Sequence, residues 1–171
     1  MKDLIFLLGM PGSGKSTFGK KLAAKLKCPF LDLDNYIENK TNLSVAELFS
    51  QKGEHYFRDL ETSCLTEIIS AQNKLVLSLG GGTPCYNNNI ELIKQSGTSI
   101  YLDAPVKLLA DRIMSSENVR PMFKHLTKDE TLIKLEELKK NRELFYQQSA
   151  YKFNVVDLTI NEVITTITGS N

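Results

Sequence analysis

The sequence predicts an α/β protein in which a five-stranded parallel sheet is covered by helices on both faces. Two observations support this fold class. Short runs that are apolar on both faces alternate with helical patterns, as expected for strands buried inside a parallel sheet. A glycine-rich motif typical of phosphate binding connects the first apolar run to the first helical pattern. The length of 171 residues suits one domain, so we expect a single domain over residues 1–171.

The elements follow one another along the whole chain. Apolar runs predict strands at residues 4–8, 29–33, 75–79, 99–102 and 153–156. Amphipathic patterns predict helices at residues 15–26, 54–70, 106–115, 128–150 and 161–168. Two capping boxes, Ser44-x-x-Glu47 and Thr127-x-x-Glu130, mark helix starts. The polar stretch at about 116–126 has no periodicity, and it is either a mobile lid, which we expect, or an ordinary polar loop.

Composition excludes several classes of protein. A net charge of +1 provides no strong field for nucleic acid or an anionic membrane surface. The apolar run at residues 4–8 is too short for a signal sequence or a membrane span. Cys28, Cys64 and Cys85 show no metal-binding or C-x-x-C spacing, which indicates reduced thiols. We therefore expect a cytoplasmic protein, monomeric, that binds neither nucleic acid nor membranes.

The segment Gly9-Met-Pro-Gly-Ser-Gly-Lys-Ser16 matches the phosphate-loop pattern G-x-x-x-x-G-K-[ST] completely. In such a loop, glycines let backbone N–H groups surround a phosphate, and the following helix N-terminus adds positive charge. Lys15 would reach the β- and γ-phosphates, and Ser16 would ligate Mg²⁺. The alternative is a glycine-rich turn with an accidental lysine. The motif predicts nucleotide binding but does not identify the reaction.

Asp32 and Asp34 close the second predicted strand, where a period of two would direct both carboxylates to one face. Ligands of open parallel sheets bind at this carboxyl edge. One carboxylate would help to hold magnesium and the other would contact an acceptor hydroxyl; the alternative is a pair of solvated turn residues. Gly80-Gly81-Gly82 follows the third strand, and allows either close approach of backbone donors to a ligand or a flexible connection.

Arginine is scarce in this chain, and each arginine is a candidate for binding an anion because guanidinium groups bind carboxylates and phosphates bidentately. Arg58, with Glu61 to orient it, either binds an anionic substrate or forms a surface ion pair. Arg142 lies on the apolar stripe of the last long helix and points toward the protein body, where it either extends its charge back to solvent or meets a buried anion. Arg120 lies in the lid, and Arg112 either packs over a purine or faces solvent.

Taken together, these motifs resemble the shikimate kinase family over nearly the whole chain. The matching features, in order, are the phosphate loop, Asp32-x-Asp34, Phe49, Gly53-Glu54, Phe57-Arg58-x-x-Glu61, Gly80-Gly81-Gly82, Arg120-Pro121 and Arg142-x-x-x-Tyr146. The resemblance implies a P-loop NTPase fold of the nucleoside-monophosphate-kinase type. It also implies Mg²⁺-dependent transfer of the ATP γ-phosphate to the 3-hydroxyl of shikimate, in the pathway to chorismate and aromatic amino acids.

The resemblance implies a role for each matched position. The expected catalytic residues are Lys15, Asp34 and Arg120. The expected nucleotide-binding residues are Gly12, Ser13, Gly14, Lys15, Ser16, Thr17, Arg112 and Arg120. Magnesium is expected at Ser16 and, through water, at Asp32. Shikimate is expected to contact Asp34, Arg58, Glu61, Gly80, Gly81, Gly82, Arg142, Phe49 and Phe57.

Two other functions fit parts of the pattern. Another small-molecule kinase, with a gluconate-like acceptor, would share the phosphate loop and the positive charges. A non-catalytic ATP-binding regulator would keep the phosphate loop and could lose Asp34, Arg120 or Arg142, yet all three are present. The Phe57-Arg58-x-x-Glu61 element and the triple glycine favour the shikimate kinase interpretation.

Overall fold

A computed structural model of the chain describes residues 3–116 and 121–169. The strands are β1 (Asp3–Leu8), β2 (Phe30–Asp32), β3 (Lys74–Ser78), β4 (Thr98–Asp103) and β5 (Tyr151–Asn154). The helices are α1 (Lys15–Leu26), α2 (Leu33–Thr41), α3 (Val45–Ala71), α4 (Asn89–Ser96), α5 (Val106–Met114), α6 (Lys128–Tyr146) and α7 (Ile160–Thr168). Single 3₁₀ turns occur at Thr83–Cys85 and Pro121–Phe123.

The five strands form one parallel sheet in the order β2-β3-β1-β4-β5, which confirms the predicted fold class. β1 lies at the centre and β3 and β4 pair with it on either side. The phosphate loop leaves the carboxyl end of β1, between its two neighbours. This is the position where open parallel sheets bind ligands.

Alternate residues of the inner strands enter two separate apolar cores, because successive side chains of a strand point to opposite faces. Leu4, Phe6 and Leu8 pack on one face with α2 to α6, whereas Leu7 packs on the other with α1 and α7. Burial on both faces explains why β1 is continuously apolar. Among the described residues, no helix has both the length and the apolar composition needed to cross a bilayer.

The second predicted strand extended too far. β2 ends at Asp32, and α2 begins at Leu33. The Asp32 carboxylate is the reason, because its Oδ1 accepts hydrogen bonds from the backbone nitrogens of Asp34 (3.1 Å) and Asn35 (3.4 Å) and so caps the helix. The prediction that Asp32 and Asp34 alternate along one strand face was therefore wrong: Asp34 lies in the first turn of α2.

α3 joins two predicted features into one element. It begins at the predicted capping box, in which Ser44 and Glu47 bond reciprocally, and it continues through the predicted helix at residues 54–70. Gly53 interrupts it with a φ of 83°, a left-handed conformation that glycine adopts without strain. Two other elements differ from their predictions at the ends. β5 begins and ends two residues before the predicted strand, and α6 ends at Tyr146, before the predicted helix end at residue 150. The sequence did not predict α2 or α4.

Candidate active site

The phosphate loop has the backbone conformation that its glycines predict. Gly9, Gly12 and Gly14 all have positive φ, and Gly14 is the N-cap of α1. A side chain at Gly9 would also collide with the backbone, because a Cβ there would be 2.7 Å from the carbonyl oxygen of Leu102. The loop therefore requires glycine for both its conformation and its packing, and it ends in a helix N-terminus.

Two basic side chains lie against this loop. Lys15 is only 6% exposed, and its Nζ donates to the carbonyl oxygens of Gly9 (2.8 Å) and Met10 (2.9 Å). Arg112 extends from α5 and donates through Nη1 to the carbonyl oxygens of Gly12 (3.3 Å) and Ser13 (3.2 Å). Both cations are therefore held within reach of any anion that the loop surrounds.

Ser16 and Asp32 form an oxygen-rich pair beside the loop. The Ser16 hydroxyl donates to Oδ2 of Asp32 at 2.5 Å and lies 3.4 Å from the hydroxyl of Ser78. Among residues 3–116 and 121–169, no cluster of three or more His, Cys, Asp and Glu side chains could enclose a metal alone. Mg²⁺ that is bound to nucleotide phosphates requires only a few protein ligands, and these are oxygen atoms. The Ser16–Asp32 pair therefore fits this cation.

Two clefts adjoin the start of α1. One has a volume of about 380 Å³ and is lined by Ser13, Gly14, Thr17, Phe18, Lys21, Leu102, Arg112, Val155 and Leu158. The other, of about 230 Å³, is lined by Gly12, Gly14, Lys15, Ser16, Thr17, Asp32, Asp34, Ser78 and Leu79. The first is partly apolar and suits a nucleotide base. The second brings both aspartates to the phosphate loop, although only Asp32 ends a strand.

The triple glycine is the point at which the predicted substrate residues converge. A Cβ at Gly80 would be 3.0 Å from Oδ1 of Asp34 and equally close to Oε1 of Glu61. A Cβ at Gly81 would be 2.9 Å from Nη1 of Arg142. A Cβ at Gly82 would be 2.7 and 2.8 Å from the two terminal nitrogens of Arg58. The absence of side chains here thus lets two guanidinium groups and two carboxylates approach one stretch of backbone.

Arg58 and Glu61 form an ion pair one turn apart on α3. Nη1 of Arg58 donates to Oε2 of Glu61 at 3.0 Å, and the side chains are 10% and 1% exposed. Glu61 also accepts a 2.5 Å hydrogen bond from the Thr83 hydroxyl. Burial raises the pKa of Glu61, while Arg58 and Thr83 favour its charged form. The pair with Glu61 is therefore buried, unlike the surface ion pair considered as an alternative for Arg58.

Aromatic rings and α6 complete the surroundings of these arginines. Phe49 and Phe57 lie on the two sides of the Gly53 break with ring centroids 4.5 Å apart, and both rings contact the Arg58 guanidinium. Arg142 extends from α6 and is half-buried. One turn later, Tyr146 donates a 2.5 Å hydrogen bond to the carbonyl oxygen of Gly81.

The structure brings most of the predicted site residues to one edge of the sheet. Arg120 lies outside the described residues. No role was predicted for Ser78, Thr83 or Tyr86, which nevertheless contact Ser16, Glu61 and Arg58, respectively. Thr83 and Tyr86 follow the glycine cluster that was predicted to bind a ligand, and this position could have indicated that they belong to the site.

Comparisons with known proteins agree with this geometry. A family model described as shikimate kinase matches residues 11–170. The shikimate kinase of Azobacteroides pseudotrichonymphae is 39% identical over 160 residues, 94% of each chain. A shikimate kinase crystal structure from Bacteroides thetaiotaomicron superposes with a TM-score of 0.90 at 34% identity, covering 98% of this chain and 97% of that one. The solved structure of a shikimate kinase from Acinetobacter baumannii in complex with shikimate superposes with a TM-score of 0.88 at 32% identity. It covers 100% of this chain and 96% of that one.

The fold and the site together define a class of protein. A phosphate loop at the switch point of a parallel sheet, with two arginines that converge on a glycine cluster beside it, is the architecture of a P-loop kinase that acts on a small molecule. The chain is an ATP-dependent kinase, and it belongs to the shikimate kinase family. The family resemblance inferred from the sequence is thereby confirmed.

Proposed function

We propose that this chain transfers the γ-phosphoryl group of ATP to the 3-hydroxyl of shikimate, and that the residues around the triple glycine bind the acceptor. The observation that carries this proposal is the convergence of Arg58 and Arg142 on Gly82 and Gly81, one residue from the approach of Asp34 to Gly80. A small hydroxylated carboxylate requires this set: cations for its carboxylate, and an anionic acceptor for its hydroxyl.

The nucleotide half of the proposal rests on the phosphate loop. Backbone N–H groups from Gly12 to Ser16 bind the β-phosphate, and Lys15 moves from its loop carbonyls to the β- and γ-oxygens. Mg²⁺, when bound, neutralises charge on those oxygens. Ser16 would ligate it directly, and Asp32 would do so through water. Arg112, with Thr17, borders the cleft that suits the base.

The acceptor half depends on charged and aromatic side chains around the triple glycine. Arg58 and Arg142 bind the carboxylate of shikimate, and Glu61 orients Arg58. Phe49 and Phe57 contact the ring of shikimate. Asp34 accepts a hydrogen bond from the reacting hydroxyl and directs its oxygen toward the γ-phosphorus. Arg120 enters this proposal on its sequence position alone, as a further cation for the transferring group. Catalysis then consists mainly of positioning and charge stabilisation.

An ADP-release assay with Mg-ATP tests the proposal by comparing shikimate, gluconate, a nucleoside monophosphate and no acceptor. We expect turnover with shikimate alone. A preference for gluconate would mean that the arginine pair binds another carboxylate, and ADP release that no acceptor increases would favour an ATP-binding regulator. The expectations of a single kinase domain, a monomer and a cytoplasmic location stay predictions.

Two variants test the residue roles. Asp34→Asn should lower kcat about 100-fold or more, and Arg58→Ala should raise KM for shikimate, while both leave ATP binding nearly unchanged. Asp59→Asn removes an exposed carboxylate from the same helix as Arg58 and should behave as the unmodified protein. Equal loss of ATP affinity in Asp34→Asn and Arg58→Ala would refute the separation of the two half-sites.

A further inference from the structure

Tyr86 makes a contact with the acceptor-site arginine that the roles described above leave unassigned. It is the first residue after the 3₁₀ turn Thr83–Cys85, which follows the triple glycine. Its ring centroid lies 4.1 Å from Cζ of Arg58, nearer than the centroids of Phe57 (5.3 Å) and Phe49 (5.6 Å). A guanidinium at such a distance is attracted to the negative face of the ring and stacks on it.

The hydrogen bonds of Arg58 fix one edge of its guanidinium group more firmly than the other. Nη1 donates to Glu61, which is buried, whereas Nε and Nη2 both donate to Oε1 of Glu54, whose side chain is 54% exposed. An exposed ion pair contributes little to the position of a side chain. A single strong bond fixes one edge of a planar group and leaves its plane free to rotate about that edge.

Three rings contact the guanidinium, and Tyr86, as the nearest of them, restricts this rotation most. Arg58 is only 8% exposed, while Tyr86 is 38% exposed, so the ring is the more solvent-exposed partner of this contact. Within the described residues, the side-chain hydrogen bonds of Arg58 use one hydrogen of each terminal nitrogen. The second hydrogen on each is therefore available to a bidentate carboxylate only while the guanidinium plane faces the pocket.

We propose that Tyr86 is a positioning residue for the acceptor carboxylate, which acts by holding the plane of the Arg58 guanidinium. The inference rests on the proposed role of Arg58. It assigns to Tyr86 an effect on acceptor binding and none on the nucleotide, because the contact lies on the acceptor side of the triple glycine. The aromatic ring is what acts, and the phenol hydroxyl is not required.

Paired substitutions test the proposal by steady-state kinetics. Tyr86→Leu keeps an apolar side chain and removes the aromatic face, and it should raise KM for shikimate on the order of fivefold with KM for ATP unchanged. Tyr86→Phe keeps the face and is the matched control, with both constants as in the unmodified protein. A KM for shikimate that does not change in Tyr86→Leu, or that rises equally in Tyr86→Phe, would overturn the proposal.

A double substitution separates this inference from the proposed function. Arg58→Lys removes the planar group on which Tyr86 acts, so Tyr86→Leu should add no further increase in that background. Full additivity of the two effects would mean that Tyr86 acts independently of Arg58 and would overturn the inference alone. If Arg58→Lys itself left KM for shikimate unchanged, the proposed role of Arg58 would fail first.

Discussion

The phenol of Tyr146 donates a 2.5 Å hydrogen bond to the carbonyl oxygen of Gly81, and it thereby fixes α6 to the triple glycine. Arg142 lies one turn before Tyr146 on the same helix, and its guanidinium approaches the same glycine. Tyr146 is fully buried and also packs on Tyr101, with ring centroids 5.0 Å apart. One side chain thus sets the distance between an arginine of the site and the backbone that it faces.

Tyr146→Phe should therefore affect both stability and acceptor binding. It retains the ring packing and leaves the buried carbonyl of Gly81 without its donor, which costs about 1–3 kcal/mol of unfolding free energy. KM for shikimate should rise because Arg142 loses its fixed distance from Gly81. Urea unfolding and steady-state kinetics measure the two effects. Tyr151→Phe, on the edge strand β5, is the control, and an equal effect there would refute the specific role of Tyr146.

Gly82→Ala should change acceptor binding with little effect on the fold. The backbone of Gly82, with φ −91° and ψ −17°, is open to alanine. The added Cβ would nevertheless lie 2.7–3.0 Å from the guanidinium of Arg58, which must move. Because that group is the end of a flexible side chain, the fold absorbs the movement. We expect a higher KM for shikimate and an unchanged melting temperature.

The control for Gly82→Ala is the same substitution in an Arg58→Ala background. Without the guanidinium there is no collision, so the added methyl group should not change KM for shikimate any further. A drop in melting temperature in the single variant would show instead that Gly82 is needed for the backbone of the turn.

The sequence predicted those elements whose signals are local. α1 matched its prediction at both ends, because the phosphate loop fixes its start and a left-handed Lys27 fixes its end. The capping boxes at Ser44 and Thr127 located the starts of α3 and α6. α2 was missed because Asp32-Leu33-Asp34 also fits the end of a strand. Only the capping bonds of Asp32 distinguish the two alternatives.

The site was predictable as a set of residues but not as a set of contacts. Each residue type indicated its chemistry, and sheet topology brought several of them to one edge. The contact between Arg58 and Tyr86 joins residues 28 positions apart and depends on the path of the turn Thr83–Cys85. No periodicity encodes such a path, so the contact of this ring with Arg58 could not be inferred from the sequence.

Asp103 should make stability depend on pH in the acid range. Partial burial raises the pKa of its carboxyl group, but hydrogen bonds from Lys139 (2.7 Å), Lys152 (3.0 Å) and Tyr101 (3.0 Å) outweigh burial and hold the pKa below its ordinary value of 3.8. A carboxyl group with a lowered folded-state pKa stabilises the protein above its unfolded-state pKa. That stabilisation is lost as the pH falls through the folded-state value.

Asp103→Asn should therefore lower the unfolding free energy at neutral pH by about 1–3 kcal/mol. The difference from the unmodified protein should shrink as the pH falls below 3.8, where the native carboxylate is itself being protonated. Denaturant unfolding at several pH values measures it. Asp157→Asn removes the same charge from an exposed turn and should have little effect at any pH. A difference for Asp103→Asn that stays constant into acid would contradict the role assigned to its charge.

Cys85 lies next to the acceptor site, and its thiol should be unreactive at neutral pH. Burial raises its pKa to about 11, although the nearby charges of Arg142 and Arg58 oppose this increase. Only the thiolate attacks alkylating reagents, so a thiol with this pKa has a very small reactive fraction at pH 8. Iodoacetamide should modify Cys85 on the order of tens of times more slowly than an ordinary exposed cysteine.

Mass spectrometry of the alkylated protein, site by site, measures this rate. The same reaction in urea is the control, since unfolding removes the burial and should restore an ordinary rate at Cys85. Cys85→Ser should retain activity, because the thiol binds neither nucleotide nor acceptor in the proposed site. Rapid alkylation of the folded protein would contradict the prediction. It would mean that the two arginines outweigh burial, stabilise a thiolate and make Cys85 a reactive group at the edge of the acceptor pocket.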